Sequence, residues 1–388
     1  MPEQGFQDVA ETLRERWDVP ALAVGVSLGG RRERLALGCD PDARFRIASV
    51  TKPVTAALVL ATLDLDAPVG VWPGVTARHL LSHTSGYDCE LGDLRRFGDG
   101  DDALPRVVAE LGGVRRWTDP GRVWSYSNAG YWLAGRLAAG AAGTSFEEAL
   151  LERVCAAAGL EATGFDEPQL DGFDVDARSG ALVRNEEGPY PRARRPSGGL
   201  VAPVDDLLRL GEWLLAGEVG EALRVPVARR PGGEYGLGLM LDRVDGHEVW
   251  HHGGDYGGFQ SLLALVPARG LVFGGLTNSR TGGQVLRRLL DETLERSLGV
   301  RREPPARASR PAVELEPLAG RYEAPDTRVE VRVAGDGLEV AADGAVVRAR
   351  PLVGGEFEVL DGASAGSRFD FPLPGFARFS SRLVEKVG

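Results

Sequence analysis

The chain has 388 residues, 43% hydrophobic and 26% charged, which excludes wholesale disorder, a collagen-like repeat and a coiled coil and allows two or three domains with a large core. A net charge of −11 leaves no positive field to gather phosphates, so nucleic acid is not expected as a partner. No membrane association is expected either: the longest apolar run, Val54 to Leu63, is interrupted by Thr, ends at Asp64 and is too short to span a bilayer.

In chain order, MPEQGFQDVAETLRERWD shows no basic leader followed by an apolar stretch, and the expected compartment is the cytoplasm. Within it Val9, Leu13 and Trp17 stand four apart, a helical spacing. ALAVGVSLGG and RRERLALG read as two strands joined at Gly29-Gly30, and ARFRIAS as a short strand running into an apolar helix, TKPVTAALVLATLDL. Residues 64 to about 215 are helix-rich, with helical patterns at 103–112, 129–140, 145–158 and 203–216 between loops of Gly, Pro and Asp. From about 234 strands return as YGLGLMLD, HEVWHH, QSLLALVP and LVFGGLTNS, and the helix GQVLRRLLDETLERSLG follows. Strands at both ends of a helix-rich middle predict a mixed α/β domain over 1–300 whose sheet is built from both termini. Residues 301–311, rich in Pro and Arg, read as a linker. Residues 312–388 hold short alternating runs between Gly-Asp turns, which predict a small antiparallel β-barrel or sandwich.

Three segments carry chemistry. In FRIASVTK, Ser49 and Lys52 are three apart where a strand gives way to a helix, so the two side chains can meet. A serine hydroxyl is a poor nucleophile until a base takes its proton, and a buried lysine can be that base. Of 45 basic residues only Lys52 and Lys386 are lysine, and position 52 therefore reads as one that needs a group able to lose a proton, which arginine cannot do. In WTDPGRVWSYSNAGYWLAG, Tyr126 could share that proton, and the Asn128 amide could hold both Lys52 and a substrate carbonyl. The plain alternative is a surface tripeptide. In WHHGGDYGGFQSLLALVP, a strand leads into a Gly-rich turn and a second strand; a backbone N–H at the turn could meet an oxyanion, and His252 could polarise or protonate a leaving group. Here the plain alternative is a hairpin with two solvated histidines.

Taken together, the order and spacing of the three segments resemble the serine β-lactamase and penicillin-binding superfamily. The likeness is to its branch of class C β-lactamases, D-stereospecific peptidases and β-lactamase-like carboxylesterases. That branch carries Ser-x-x-Lys, Tyr-x-Asn and Lys- or His-x-Gly, matched here by Ser49-Val50-Thr51-Lys52, Tyr126-Ser127-Asn128 and His252-Gly253-Gly254. HLLSHTSG (79–86), PGRVWSYSNAGY (120–131) and SGGLVAPVDDLLRL (197–210) resemble further stretches of the branch, and the likeness spans roughly residues 10–300. It implies an antiparallel sheet flanked by helices, with a helical subdomain. By the same resemblance Ser49 is the nucleophile, Lys52 and Tyr126 the base, and Asn128, His252 and Gly254 orient substrate. The backbone N–H groups of Ser49 and Asp255 form the oxyanion hole, and no cofactor or metal is used. Counting back seven positions from Phe259 selects His252, with His251 as runner-up.

Class C β-lactamases carry lysine where this chain has His252, which puts β-lactam hydrolysis in question and points to small esters, amides or peptides. A D-amino-acid peptidase or amidase, a β-lactamase, an acyltransferase and a silent penicillin-binding sensor remain alternatives. Zinc on His79 and His83 is a rival, but Leu80 stands where a zinc protease needs its glutamate. Three cysteines, Cys39, Cys89 and Cys155, give neither a disulfide framework nor metal spacing. The C-terminal β-domain resembles the lipocalin-like appendages of some relatives. It is a candidate cap over the site, an assembly surface for a homo-oligomer, or a passive stabiliser.

Overall fold

The computed structural model describes residues 4–87, 91–176, 179–308, 311–325, 327–342, 344–362 and 364–387. Cys89 lies outside them. Eight strands form one antiparallel sheet in which Leu22–Leu28, from the start of the chain, pairs with Leu271–Thr277, from near residue 280. The order from that end runs Arg31–Leu37, Leu22–Leu28, Leu271–Thr277, Phe259–Val266, His247–Tyr256, Met240–Val244, Gly233–Tyr235 and Ala228–Arg230. The expected hairpin at Gly29-Gly30 forms with φ of 59° and 81°, a pair of left-handed residues that glycine adopts without a Cβ clash.

Both faces of the sheet are covered, and successive side chains divide between two cores. In the strand Phe259–Val266, Leu262, Ala264 and Val266 enter a core with Phe6, Ala10, Leu286, Leu289 and Leu290 of the first helix and the helix Gly282–Leu298. Leu263 and Leu265 point the other way, into a larger core with Val54, Leu58, Trp132, Leu207 and Leu208. That second core holds the helix Thr51–Thr62, the helix Asn128–Ala142 and the helix Val204–Ala216. The helix-rich middle expected from the sequence is thus the layer on one face of the sheet.

Beyond residue 319, eight strands close into a barrel around Tyr322, Val331, Leu338, Phe357, Phe369, Ala377 and Val384. Six of these strands correspond to the alternating runs read from the sequence. The two that close the barrel, Gly320–Ala324 and Arg382–Val387, pair with each other and were not among the runs read from the sequence.

One boundary differs from expectation. The strand at HEVWHH does not give way to a turn at Gly253; it runs on to Tyr256, and the turn is Gly257-Gly258. Gly253 and Gly254 are strand residues, and at Gly254 the reason is proximity. A Cβ there would lie 2.3 Å from the Ile47 carbonyl and 2.3 Å from Ser261 Oγ.

Candidate active site

Ser49 sits in a single 3₁₀ turn, Ala48–Val50, that leads directly into the helix Thr51–Thr62. Residues three apart across this turn and the first turn of the helix lie on one face, which brings Lys52 to Ser49. The turn is held from both sides. Ile47 N–H donates to Leu200 O at 3.0 Å, and Ser261 Oγ donates to Ile47 O at 2.7 Å. Ala48 is left-handed, with φ of 44°, a conformation that costs an L-residue about 1–2 kcal/mol. Packing overrides that preference immediately before the nucleophile.

Lys52 has no solvent exposure. Its Nζ donates to Ser49 Oγ at 3.1 Å, to Asn128 Oδ1 at 2.8 Å and to the Ser197 carbonyl at 2.6 Å. It also lies 4.8 Å above the Tyr126 ring and 5.3 Å from that of Tyr131. A buried charge is tolerable only with such hydrogen-bond and aromatic partners. The Ser197 carbonyl had no assigned role in the sequence reading, although its stretch was singled out. It is presented by the short turn Arg195–Gly198, fastened by Trp132 Nε1 donating to Ser197 Oγ at 2.9 Å.

Tyr126 precedes the helix Asn128–Ala142, whose N-cap is Ser127, its Oγ accepting Gly130 N–H at 3.1 Å. Beneath it lies His83, ring centroids 4.3 Å apart, and His83 Nδ1 accepts the Ser127 N–H at 3.0 Å. His83 does not share a helix face with His79. The helix Ala77–Leu81 ends before it, His79 caps that helix with Thr76, and His83 is left-handed with φ of 58°. The i, i+4 geometry behind the zinc alternative is absent for this pair. Among the described residues no group of three or more His, Cys, Asp or Glu could hold a metal.

The adjacent histidines of the third segment fall on opposite faces of their strand, as the two-residue period requires. His252 is on the Tyr126 side, ring centroids 6.2 Å apart, and is 1% exposed. His251 faces away and meets Asp242 Oδ2 at 3.0 Å. Burial, with the Lys52 charge nearby, pushes the His252 imidazole down to about 3, so it is neutral at pH 7. Its Nδ1 donates to the Gly253 carbonyl at 2.7 Å, which assigns the proton to Nδ1 and leaves the buried Nε2 as a lone pair. Burial likewise holds His83 well below the usual range. Gly254 packs on Ile47 and Ala48 of the Ser49 turn, so the strand edge and the nucleophile form one unit. Asp255, next along, keeps its carboxylate half exposed, 3.8 Å from Arg280.

The structure therefore brings Ser49, Tyr126 and Asn128 around Lys52 Nζ, with His252 and Gly254 behind them. One contributor came from outside the expected range: Tyr126 N–H donates to the carbonyl of Ser381, in the barrel, at 2.8 Å.

Comparison with known proteins gives the family and the fold. A protein-family model described as Beta-lactamase matches residues 9–296. Penicillin-binding protein 4 of Amycolatopsis lactamdurans is 30% identical over 82% of this chain and 97% of its own. Esterase EstB of Burkholderia gladioli is 32% identical over 53% of this chain and 68% of its own. The solved structure of SurE superposes with a TM-score of 0.80 at 23% identity, covering 99% of this chain and 98% of that one, barrel included, and so shares the fold.

Proposed function

Since the chain belongs to the beta-lactamase family, whose members are hydrolytic, we propose that it is a serine hydrolase forming an acyl-enzyme at Ser49 and acting on small esters or amides. The observation that carries this reading is the Lys52 amine, buried between Ser49 Oγ and Asn128 Oδ1 against the Tyr126 ring. Ser49 Oγ attacks the carbonyl carbon while its proton passes to the Lys52–Tyr126 pair. The backbone N–H groups of Ser49 and Asp255 take the oxyanion. The pair then protonates the leaving group. Water attacks the acyl carbon and gives a proton to the same pair; the bond to Ser49 Oγ breaks, the pair returns the proton to Oγ, and the acid leaves to solvent.

The neutral His252 favours uncharged substrates. An imidazole with its proton committed to Gly253 offers no cation to a substrate carboxylate, where a lysine ammonium would. An ester or a neutral amide needs none. The reading includes a cytoplasmic location and no cofactor.

The test is turnover of a short-chain nitrophenyl ester, a D-alanine anilide and a chromogenic cephalosporin by the wild type and by Ser49→Ala. Ester turnover lost in the variant supports the reading; full turnover by Ser49→Ala overturns it. Anilide turnover assigns the D-peptidase alternative. Labelling of Ser49 by a fluorescent penicillin without turnover of anything assigns the silent sensor.

A further inference from the structure

The barrel is fastened to the hydrolase at the three residues that end in Tyr126. Trp124 O accepts from Arg378 Nη1 at 2.8 Å, Ser125 Oγ accepts from Leu383 N–H at 3.1 Å, and Ser381 O accepts from Tyr126 N–H at 2.8 Å. All three partners come from one hairpin, the strands Phe376–Phe379 and Arg382–Val387. Phe376 adds a ring contact with Trp117 at 5.8 Å, and Glu385 an ion pair with Arg115 at 2.7 Å.

Two features of this hairpin are costly unless its placement matters. Its turn, Ser380-Ser381, is left-handed at both positions, with φ of 45° and 70°, although neither residue is glycine. That conformation aims the Ser381 carbonyl at the Tyr126 N–H. Arg378 is 4% exposed, and a guanidinium so buried must be matched in full. Asp370 receives its Nε at 2.8 Å and also its Nη2, leaving Nη1 for Trp124 O, and the cation lies 5.5 Å over the Trp124 ring. A second anchor lies at the edge hairpin of the sheet: the Glu356 carboxylate accepts the Gly232 N–H at 3.0 and 3.1 Å and pairs with Arg368 at 3.2 Å.

We propose that Arg378 is a positioning residue for Tyr126, and that through the Ser380-Ser381 turn the barrel is a working wall of the acyl-transfer site rather than a passive appendage. The proposal rests on the reading of Tyr126 as a proton carrier. Arg378 touches no substrate; it locks the hairpin against Trp124, and the hairpin fixes the backbone from which the phenol is presented.

The experiment uses the full chain as wild type, Arg378→Met, Asp370→Asn and, as a control on the second anchor, which makes no contact with residues 124–126, Glu356→Gln. Turnover of the nitrophenyl ester is read beside the ring-carbon NMR signal of Tyr126 in 13C-tyrosine protein, assigned with Tyr126→Phe. In folded Arg378→Met, kcat falls about 10²-fold, the loss expected from a displacement on the order of 1 Å. KM stays within about threefold, because ground-state binding is not what is lost. The Tyr126 signal moves in both Arg378→Met and Asp370→Asn. Glu356→Gln lowers the melting temperature and changes neither kcat nor the signal. Should Arg378→Met fail to fold, Asp370→Asn and Arg378→Lys carry the test, the lysine restoring part of kcat through its bond to Trp124 O. An unmoved Tyr126 signal with wild-type kcat overturns the proposal, as does an equal loss of kcat in Glu356→Gln. A moved signal in a protein whose wild type turns over no substrate overturns the function proposed above and the acyl-transfer role of the barrel with it, and leaves only the positioning of Tyr126 by Arg378.

Discussion

Lys52 Nζ and Ser49 Oγ lie 3.1 Å apart, and the amine that makes this contact has no access to water. Arginine fills nearly every other basic position of the chain, so Lys52→Arg is the sharpest substitution to make. It keeps the charge but removes the ability to give up a proton, and its planar fork does not match the three oxygens around Nζ. Acylation of Ser49 is expected to slow about 10²–10⁴-fold, the range of a lost general base. Intact-mass kinetics of ester acylation check this, and an acylation rate within a few fold of wild type would remove Lys52 from the mechanism.

Tyr126→Phe separates the phenol from its ring. The contacts to Lys52 and His83 are made by the ring and survive, so the melting temperature stays close to wild type. Turnover of the ester falls about 10²-fold or more, as for other positioned proton donors. A folded, fully active Tyr126→Phe would leave Lys52 alone as the base.

The two glycines after His252 give opposite outcomes. Alanine at 254 drives its Cβ into the Ile47 carbonyl and Ser261 Oγ, forcing apart the strand and the Ser49 turn. We expect a loss of about 1–3 kcal/mol in urea unfolding, as for overpacked cores, with a collapse of turnover. At 253 the nearest atom to the new Cβ is 3.7 Å away, and Gly253→Ala unfolds at nearly the wild-type midpoint. Equal behaviour of the two variants would refute the close packing described for Gly254.

The buried histidines make stability depend on pH with a definite sign. Burial depresses both His83 and His252 in the folded state, His252 to about 3, while in the unfolded chain each titrates near 6.5. Folding therefore excludes protons that the unfolded chain binds. The contribution is complete above pH 6.5 and is lost as pH falls towards the folded value, at about 1.4 kcal/mol per unit for each group. The urea midpoint is expected to drop between pH 7 and 5, and His252→Asn to flatten that slope. The same neutrality predicts no inflection near pH 6.5 in ester turnover that His252→Asn removes. Either a flat stability profile or such an inflection would show a titrating His252.

Much of the site was legible in the chain because its chemistry is written in local spacing. Ser49 and Lys52 are one helical turn apart, Tyr126 and Asn128 flank a helix N-cap, and one of only two lysines among 45 basic residues marks itself by composition. The sheet was legible for a similar reason, since long strands such as Phe259–Val266 carry unbroken apolar runs.

What the sequence could not supply depends on atoms that meet only after folding. The Ser197 and Ser381 carbonyls are backbone groups, present at every residue and so without a signature. His83 reads as a possible metal ligand until the chain bends it under Tyr126. Gly253 and Gly254 read as a turn because glycine has two uses, left-handed backbone and close approach, and only the neighbouring Ile47 carbonyl distinguishes them. The chain alone thus named the side chains that meet at the candidate site. The tertiary structure decided which backbone groups hold them, and that a hairpin more than 250 residues after Tyr126 is among those holding it, because such contacts depend on long-range packing and not on the identity of any residue nearby.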